Sequence, residues 1–237
     1  YGKIVVGSEE PKNNKYTYVY EGEDQKPEWG ATDLKFPKYN YEAFKNDKAE
    51  PIPQALPDVL TNGIYNLANG KYYADNGLTI PSTNNDVTLN LQKDTVIMIN
   101  GDLNINANNF TIEAEEFVDK DGITKKYALL LVVFGNIDDR YRNNATFLNT
   151  VLVSLDKYDA GGNPLNVGGN ILFKNNADII GMVIADKLLY FQNGLEAGAA
   201  TIDGKIVKSD RDLAEVFNEI AGGYEGEVVT TAGEAEI

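Results

Sequence analysis

The sequence predicts a mainly β protein, built as a right-handed parallel β-helix, and three observations support this. Apolar and polar residues alternate in short runs between Val87 and Ala114, which is typical of strands with one buried face. Short apolar runs recur between Asn170 and Val207, as expected for stacked coils. Residues 128–134 (ALLLVVF) are apolar on both faces, which predicts a strand that is covered on both sides. A β-sandwich is the alternative.

Asn and Gly punctuate these runs. The pairs Asn69-Gly70, Asn76-Gly77 and Asn100-Gly101 separate neighbouring strands, and both residue types tolerate the positive φ of a tight turn. Corners that recur in this way also allow side-chain amides to bond to one another from coil to coil. We therefore expect stacked corners that carry ladders of Asn side chains.

The chain divides into three parts that form one folded unit. Residues 1–62 are rich in Pro and aromatic residues and predict an extended flank, packed on the solenoid, with a short helix over 41–48. Residues 63–207 predict the β-helix core. Residues 208–237 predict a C-terminal helix and tail, because the stretch from Ser209 to Ala221 carries one apolar stripe. The flank and this helix are the candidates to cover the outside of residues 128–134.

Composition excludes several classes of function. With 21 basic and 36 acidic side chains the net charge is −15, which disfavours nucleic acid and anionic membrane surfaces as partners. The chain has no Cys and no His, which excludes zinc sites built on them and Ser-His-Asp catalysis. It has no apolar run of 18 residues, so no membrane insertion is predicted. We expect no cofactor, although the acidic composition leaves a structural calcium ion open. The start at Tyr1, without Met, predicts a piece of a longer protein.

Aromatic residues form the candidate binding site. Tyr and Trp combine a flat apolar ring face with a polar edge, which suits stacking on sugar rings. The alternative is that these rings pack the N-terminal flank onto the β-helix. The predicted carbohydrate-binding residues are Tyr16, Tyr18, Tyr20, Trp29, Tyr39, Tyr41, Tyr72 and Tyr73.

Acidic residues give weaker indications of a functional site. Asp138 and Asp139 lie beside Arg140, and a pair of carboxylates can act as acid and base on a glycosidic bond. Adjacent strand residues point to opposite faces, however, and a solvated loop is the simpler interpretation, so no catalytic residue is predicted. Asp119 and Asp121 precede Gly122 as in the start of a calcium loop, but the later ligands are absent, which favours a surface turn.

Three segments carry a resemblance to a known family. Residues 169–194 (GNILFKNNADIIGMVIADKLLYFQNG) resemble β-helical surface domains encoded near bacterial type IV pili. The lead-in FPKYNYEAFKNDKAE at 36–50 and the coil INGDLNINANN at 99–109 are similar to theirs. The chain most resembles the C-terminal region of tapirins, cell-surface proteins of plant-biomass-degrading thermophilic bacteria. The resemblance implies a non-catalytic extracellular adhesin that binds crystalline cellulose.

Three functions therefore stand as expectations. The first is a cell-surface module that binds insoluble plant polysaccharide, most suitably cellulose, by aromatic stacking on a flat face. The second is a structural or protein-binding subunit associated with type IV pili. The third is a β-helix polysaccharide lyase or hydrolase.

Overall fold

The computed structural model describes residues 5–6, 28–29, 39–81, 86–139, 144–157, 165–173, 177–191 and 205–207. The chain forms two compact units, one from residues 1–38 with 225–237 and the other from residues 39–224. In the first unit, β1 (Val5–Val6) and β2 (Glu28–Trp29) pair in parallel. The predicted helix from Ser209 to Ala221 lies outside the described residues.

In the described part of the second unit, the short helix α1 (Tyr41–Lys45) comes first and strands follow. Its strands are β3 (Gln54–Ala55), β4 (Gly63–Leu67), β5 (Lys71–Ala74), β6 (Leu78–Ile80), β7 (Asp86–Leu91), β8 (Thr95–Ile99), β9 (Leu103–Ile105), β10 (Asn109–Ala114), β11 (Glu116–Val118), β12 (Thr124–Lys126), β13 (Leu129–Phe134), β14 (Ile137–Asp139), β15 (Asn144–Leu155), β16 (Asn170–Phe173), β17 (Ala177–Ala185), β18 (Leu188–Phe191) and β19 (Lys205–Val207).

These strands stack in three columns of parallel, hydrogen-bonded neighbours. The first column contains β4, β7, β10, the start of β15, the start of β17, and β19. The second contains β3, β5, β8, β13 and the later parts of β15 and β17. The third contains β6, β9, β14, β16 and β18. The chain visits the columns in turn, so β4, β5 and β6 make one round and β7, β8 and β9 the next.

The prediction of a mainly β fold is confirmed, and the pairing is parallel within every column of the described residues. An antiparallel pair occurs in the hairpin β11–β12, which leaves the first column after β10 and returns to the second column at β13. Parallel columns of this kind are not the antiparallel arrangement of a β-sandwich.

Apolar side chains from all three columns form the main core. Their in-register positions stack from one round to the next, as Leu89, Ile112 and Phe147 do in the first column. The Phe147 ring meets the rings of Phe110 and Phe173 edge to face, with centroids 5.7 and 6.0 Å apart. Polar residues between them point to the other side of the sheet, because strand side chains alternate.

The second column buries its outer side as well. Val96, Met98, Leu130 and Val132 form a second cluster there, against which Tyr41 and Phe44 of α1 pack. The prediction that residues 128–134 are covered on both sides is confirmed. Helix α1 supplies part of that cover and thus belongs to the same compact unit as the strands.

Helix α1 is shorter than the sequence predicts. Its N-cap is as expected, because the Asn40 side chain accepts the Ala43 N–H at 3.0 Å. The helix ends at Lys45 because Asn46 caps its C-terminal end and Asp47 then accepts the Ala49 N–H in a new turn. Asp47 also forms an ion pair with Lys71 at 2.8 Å, which ties this turn to β5.

Asn and Asp side chains link successive rounds at the corner between the second and third columns. The Asn170 Nδ2 donates to Asn136 Oδ1 at 2.7 Å, and the Asn136 backbone N–H donates to Asp102 Oδ1 at 2.7 Å. On the first column, Asn90 Nδ2 donates to Asn66 Oδ1 at 3.0 Å. The predicted amide ladders are therefore present.

Candidate functional site

The predicted aromatic platform divides between described and undescribed parts of the chain. Tyr16, Tyr18 and Tyr20 lie outside the described residues. The backbone of Trp29 lies in β2, paired with Val6, and its side chain is outside the description. The proposal that these four rings bind sugar therefore stays a prediction.

Two of the predicted aromatic residues are buried. Tyr41 is 7% exposed and packs edge to face on Phe134, and Tyr72 is 6% exposed in the main core. Burial, and then the hydrogen bond that its hydroxyl donates to Asp75, raises the pKa of Tyr41. The Tyr72 hydroxyl accepts the Asn69 N–H at 2.8 Å. Neither ring is open for stacking, which favours the packing interpretation at these positions.

Tyr39 and Tyr73 are half-buried against the second cluster. The Lys45 ammonium lies 5.3 Å from the centroid of the Tyr73 ring, so a cation already occupies one ring face. Burial raises the pKa of Tyr39 to about 12. These rings join α1 to the second column and form no flat aromatic row.

The acidic pair lies in strand β14 and is buried, so the expectation of a solvated loop is wrong here. Asp138 aligns with Asn104 on one side of the sheet, and Asp139 aligns with Ile105 and Phe173 on the other. The sequence pattern is misleading because Ile137, which anchors this strand in the core, is followed by polar residues only. The two carboxylates point apart, as adjacency in a strand predicted, and do not converge on one bond.

The Asp119 segment forms the surface turn that its sequence favoured. The Asp119 carboxylate accepts the N–H groups of Asp121 and Ile123, both at 2.9 Å, and pairs with Lys125 at 2.7 Å. The hydrogen bond from Lys125 is the largest cause that lowers the pKa of Asp119, and the hydrogen bonds from the two backbone N–H groups lower it further. The turn therefore closes the β11–β12 hairpin.

The outer side of the first column carries a regular polar surface, which we call the threonine face. Thr88, Thr111 and Thr146 occupy the same register position in β7, β10 and β15. All three are partly exposed, and within the described residues their hydroxyls make no hydrogen bond. Asn66, Asn90 and Glu113 form a second row beside them.

The threonine face is a lattice of hydrogen-bonding groups. Neighbouring strands lie about 4.8 Å apart, and the two rows are two residues apart along each strand, about 7 Å. The second row is held in place, since Asn90 Nδ2 also donates to Glu115 Oε1 at 3.3 Å. Gln92 Nε2 reaches the same Glu115 oxygen at 2.9 Å. A side of a sheet with fixed amides and unused hydroxyls at regular spacing suits a ligand that is itself flat and repetitive.

Sequence reasoning did not find the threonine face, although its signal was present. The runs VTLNL and FTIEA place Thr two positions before Asn or Glu, between buried residues. A single strand of this kind indicates only that one of its faces is exposed to solvent. The register between strands, which aligns Thr88 with Thr111 across 23 residues of chain, turns them into a surface.

No family model, curated protein or solved structure matches this chain. Within the described ranges, no helix is long and apolar enough to cross a membrane. The same ranges bring together no group of three or more acidic side chains placed to hold a metal ion. The fold and the threonine face are therefore the basis for a functional proposal.

Proposed function

We propose that this protein is a non-catalytic, extracellular binding module that attaches a cell surface to insoluble plant polysaccharide, most suitably crystalline cellulose. The observation that carries the proposal is the threonine face, a regular array of hydroxyl, amide and carboxylate groups on one side of a parallel sheet. The resemblance of the chain to the C-terminal region of tapirins supports the same function.

The proposed architecture is a right-handed parallel β-helix. Its support is the order in which the chain visits the three columns, and the parallel pairing of each strand with its counterpart in the next round. Parallel connections within one sheet are right-handed in nearly all proteins, which gives the handedness. Such a solenoid presents the uncovered outer side of a column, here the first, as an extended surface.

The proposed mechanism is hydrogen bonding of sugar hydroxyls to the threonine face. Thr hydroxyls both donate and accept, as sugar hydroxyls do, and amide side chains match them equally well. Each contact is weak, but a polymer surface repeats its hydroxyls, so that many contacts form at once. Aromatic stacking through Tyr16, Tyr18, Tyr20 and Trp29 stays a second, additive prediction.

The test is retention on microcrystalline cellulose of a variant with Thr88→Lys and Thr111→Lys. Two long side chains standing on the threonine face will hold a flat ligand away, and we expect at least a tenfold loss of affinity, about 1.4 kcal/mol. The matched control is Thr124→Lys in β12, where an exposed Thr lies on the hairpin. We expect the control to bind as the parent does.

Two outcomes would contradict the proposal. Equal retention of the face variant and the parent would remove the threonine face as the binding site. Failure of the parent to bind cellulose, xylan or chitin would remove the polysaccharide and favour a protein partner such as a type IV pilus subunit. Circular dichroism of each variant confirms that the fold is intact before binding is compared.

A further inference from the structure

The third column contains a carboxyl group in the apolar core. Asp139 is 0% exposed and occupies the register position of Ile105 in the strand on one side and Phe173 in the strand on the other. Both of those neighbours belong to the main core. The Asp139 side chain therefore stands in a stack of apolar residues.

Among the residues that the structure describes, neither carboxyl oxygen of Asp139 has a hydrogen-bond partner. The strands packed against it, β9 and β16, contribute no titratable or charged residue, and the described group of like charge nearest in sequence is Asp138 on the opposite side of β14. Arg140 and Arg142 follow in the sequence, outside the described residues. A buried, unpartnered carboxylate is costly, whereas the neutral acid is tolerated.

We propose that Asp139 is a pH-sensitive element of the fold, held as the neutral acid in the core, whose ionisation loosens the third column. Burial, and then the charge of Asp138, raises the pKa of Asp139 to about 7. In the unfolded chain an Asp has a pKa of about 3.9. Between these two values the folded protein binds a proton that the unfolded protein releases.

The sign of the pH dependence follows from this difference. Because the folded state holds the extra proton, stability is greatest at and below about pH 4 as far as this group is concerned. It falls as pH rises towards 7 and then levels off, when Asp139 is ionised in both states. The contribution of Asp139 thus makes the fold more stable in mildly acidic than in alkaline surroundings.

The experiment is urea unfolding of the full chain at a series of pH values from 5 to 8.5. For the parent, we expect the unfolding equilibrium constant to rise on the order of a hundredfold between pH 5 and pH 7.5. Asp139→Asn removes the titrating group at nearly constant volume, and we expect this rise to disappear. The matched control, Asp138→Asn on the opposite side of the same strand, removes only the smaller cause of the raised pKa and is expected to retain most of the rise.

The proposal is overturned if the parent shows no such rise, or if Asp139→Asn shows the same rise as the parent. Direct titration of the parent by carboxyl-carbon NMR gives a second measurement that does not depend on whether a variant folds. A resonance of Asp139 that titrates near pH 7 supports the proposal, and one that titrates near pH 4 rejects it.

Discussion

Replacing Gly135 by Ala is expected to cause a large loss of stability. A Cβ at Gly135 would overlap the carbonyl oxygen of Gly101 and lie 2.5 Å from its carbonyl carbon. Those atoms belong to the backbone of the preceding round, so no side-chain rotation can relieve the contact. Gly135 in turn lies under Gly168, whose own Cβ would meet the Gly135 Cα at 2.7 Å.

This corner is a stack of glycines, because a Cβ on Gly77 or Gly101 would also meet backbone atoms of the neighbouring round at 2.7 Å. The rounds approach each other here more closely than any side chain allows. Inserting a methyl group between two backbones must push successive rounds apart at this corner. We expect Gly135→Ala to cost about 3 kcal/mol or more, at the upper end of the range for overpacking.

Thermal unfolding measures the effect, with Gly122→Ala as the matched control. Gly122 lies at the hairpin turn with a φ of +78°, and nothing lies within 4 Å of a Cβ placed there. The control therefore carries only the backbone strain of a positive φ, about 1–2 kcal/mol. For a chain of this length we expect Tm to fall by roughly 6–12 °C in Gly135→Ala. An equal or larger fall in the control would show that close approach at the corner is not what matters.

The sequence is sufficient to predict which faces of a single strand are buried and where the strand ends. Alternation in the run from Val87 to Leu91 correctly gave a strand with one buried side, and continuous apolar residues at 128–134 correctly gave one that is buried on both. Asn-Gly pairs marked turns, as at Gly77 and Gly101, where φ is +85° and +143°. These signals are local, because they depend on solvent exposure and backbone conformation of neighbouring residues.

The features that cannot be predicted from the sequence depend on the alignment of strands in different rounds. Aligned residues in neighbouring rounds are about 23 to 34 positions apart along the chain. Thr88 and Thr111 become a surface only through register, and Asp139 becomes a core residue only because Ile105 and Phe173 align with it. The exposure of the predicted aromatic site could not be predicted for the same reason. Tyr72 and Tyr73 are adjacent in the sequence, yet Tyr72 faces the main core and Tyr73 packs against the second cluster.

Replacing Asp156 by Ala is the second substitution from which we expect a large effect. Asp156 is 1% exposed, and its carboxylate accepts the backbone N–H groups of Asn166, Val167 and Gly168 at 2.9–3.0 Å. It also forms an ion pair with Lys187 at 2.7 Å. One side chain thus fixes both ends of the connection between β15 and β16.

The Lys157 N–H also donates to this carboxylate at 2.9 Å, so removing it leaves four backbone donors and an ammonium group without their acceptor. Each unsatisfied buried donor costs about 1–3 kcal/mol. The Lys187 side chain is 30% exposed, so water can solvate its ammonium group once the carboxylate is removed. These costs overlap, since the loop will rearrange and let water in. We expect Asp156→Ala to lower the free energy of unfolding by about 3–5 kcal/mol, measured by urea unfolding at pH 7.

The control for Asp156 is Asp119→Ala. Asp119 makes the same kinds of contact, with two backbone N–H groups and Lys125, but on the exposed hairpin. Water can replace the carboxylate there, so we expect a much smaller loss of stability. If the two variants lost stability equally, burial of Asp156 would not be the source of its effect.

Acid titration distinguishes the charge of Asp156 from its shape. Burial alone would raise the pKa of Asp156, but the hydrogen bond from Lys187 and those from Gly168, Asn166 and Val167 outweigh it and lower the pKa to about 2. Because this value lies below the roughly 3.9 of an unfolded Asp, the contribution is complete above about pH 4 and is lost as pH falls through 2. We expect Asp156→Asn, which retains one acceptor oxygen but no charge, to lose stability at pH 7 and to show a weaker acid dependence than the parent. Parallel acid unfolding curves for the two proteins would assign the acid sensitivity to other carboxylates.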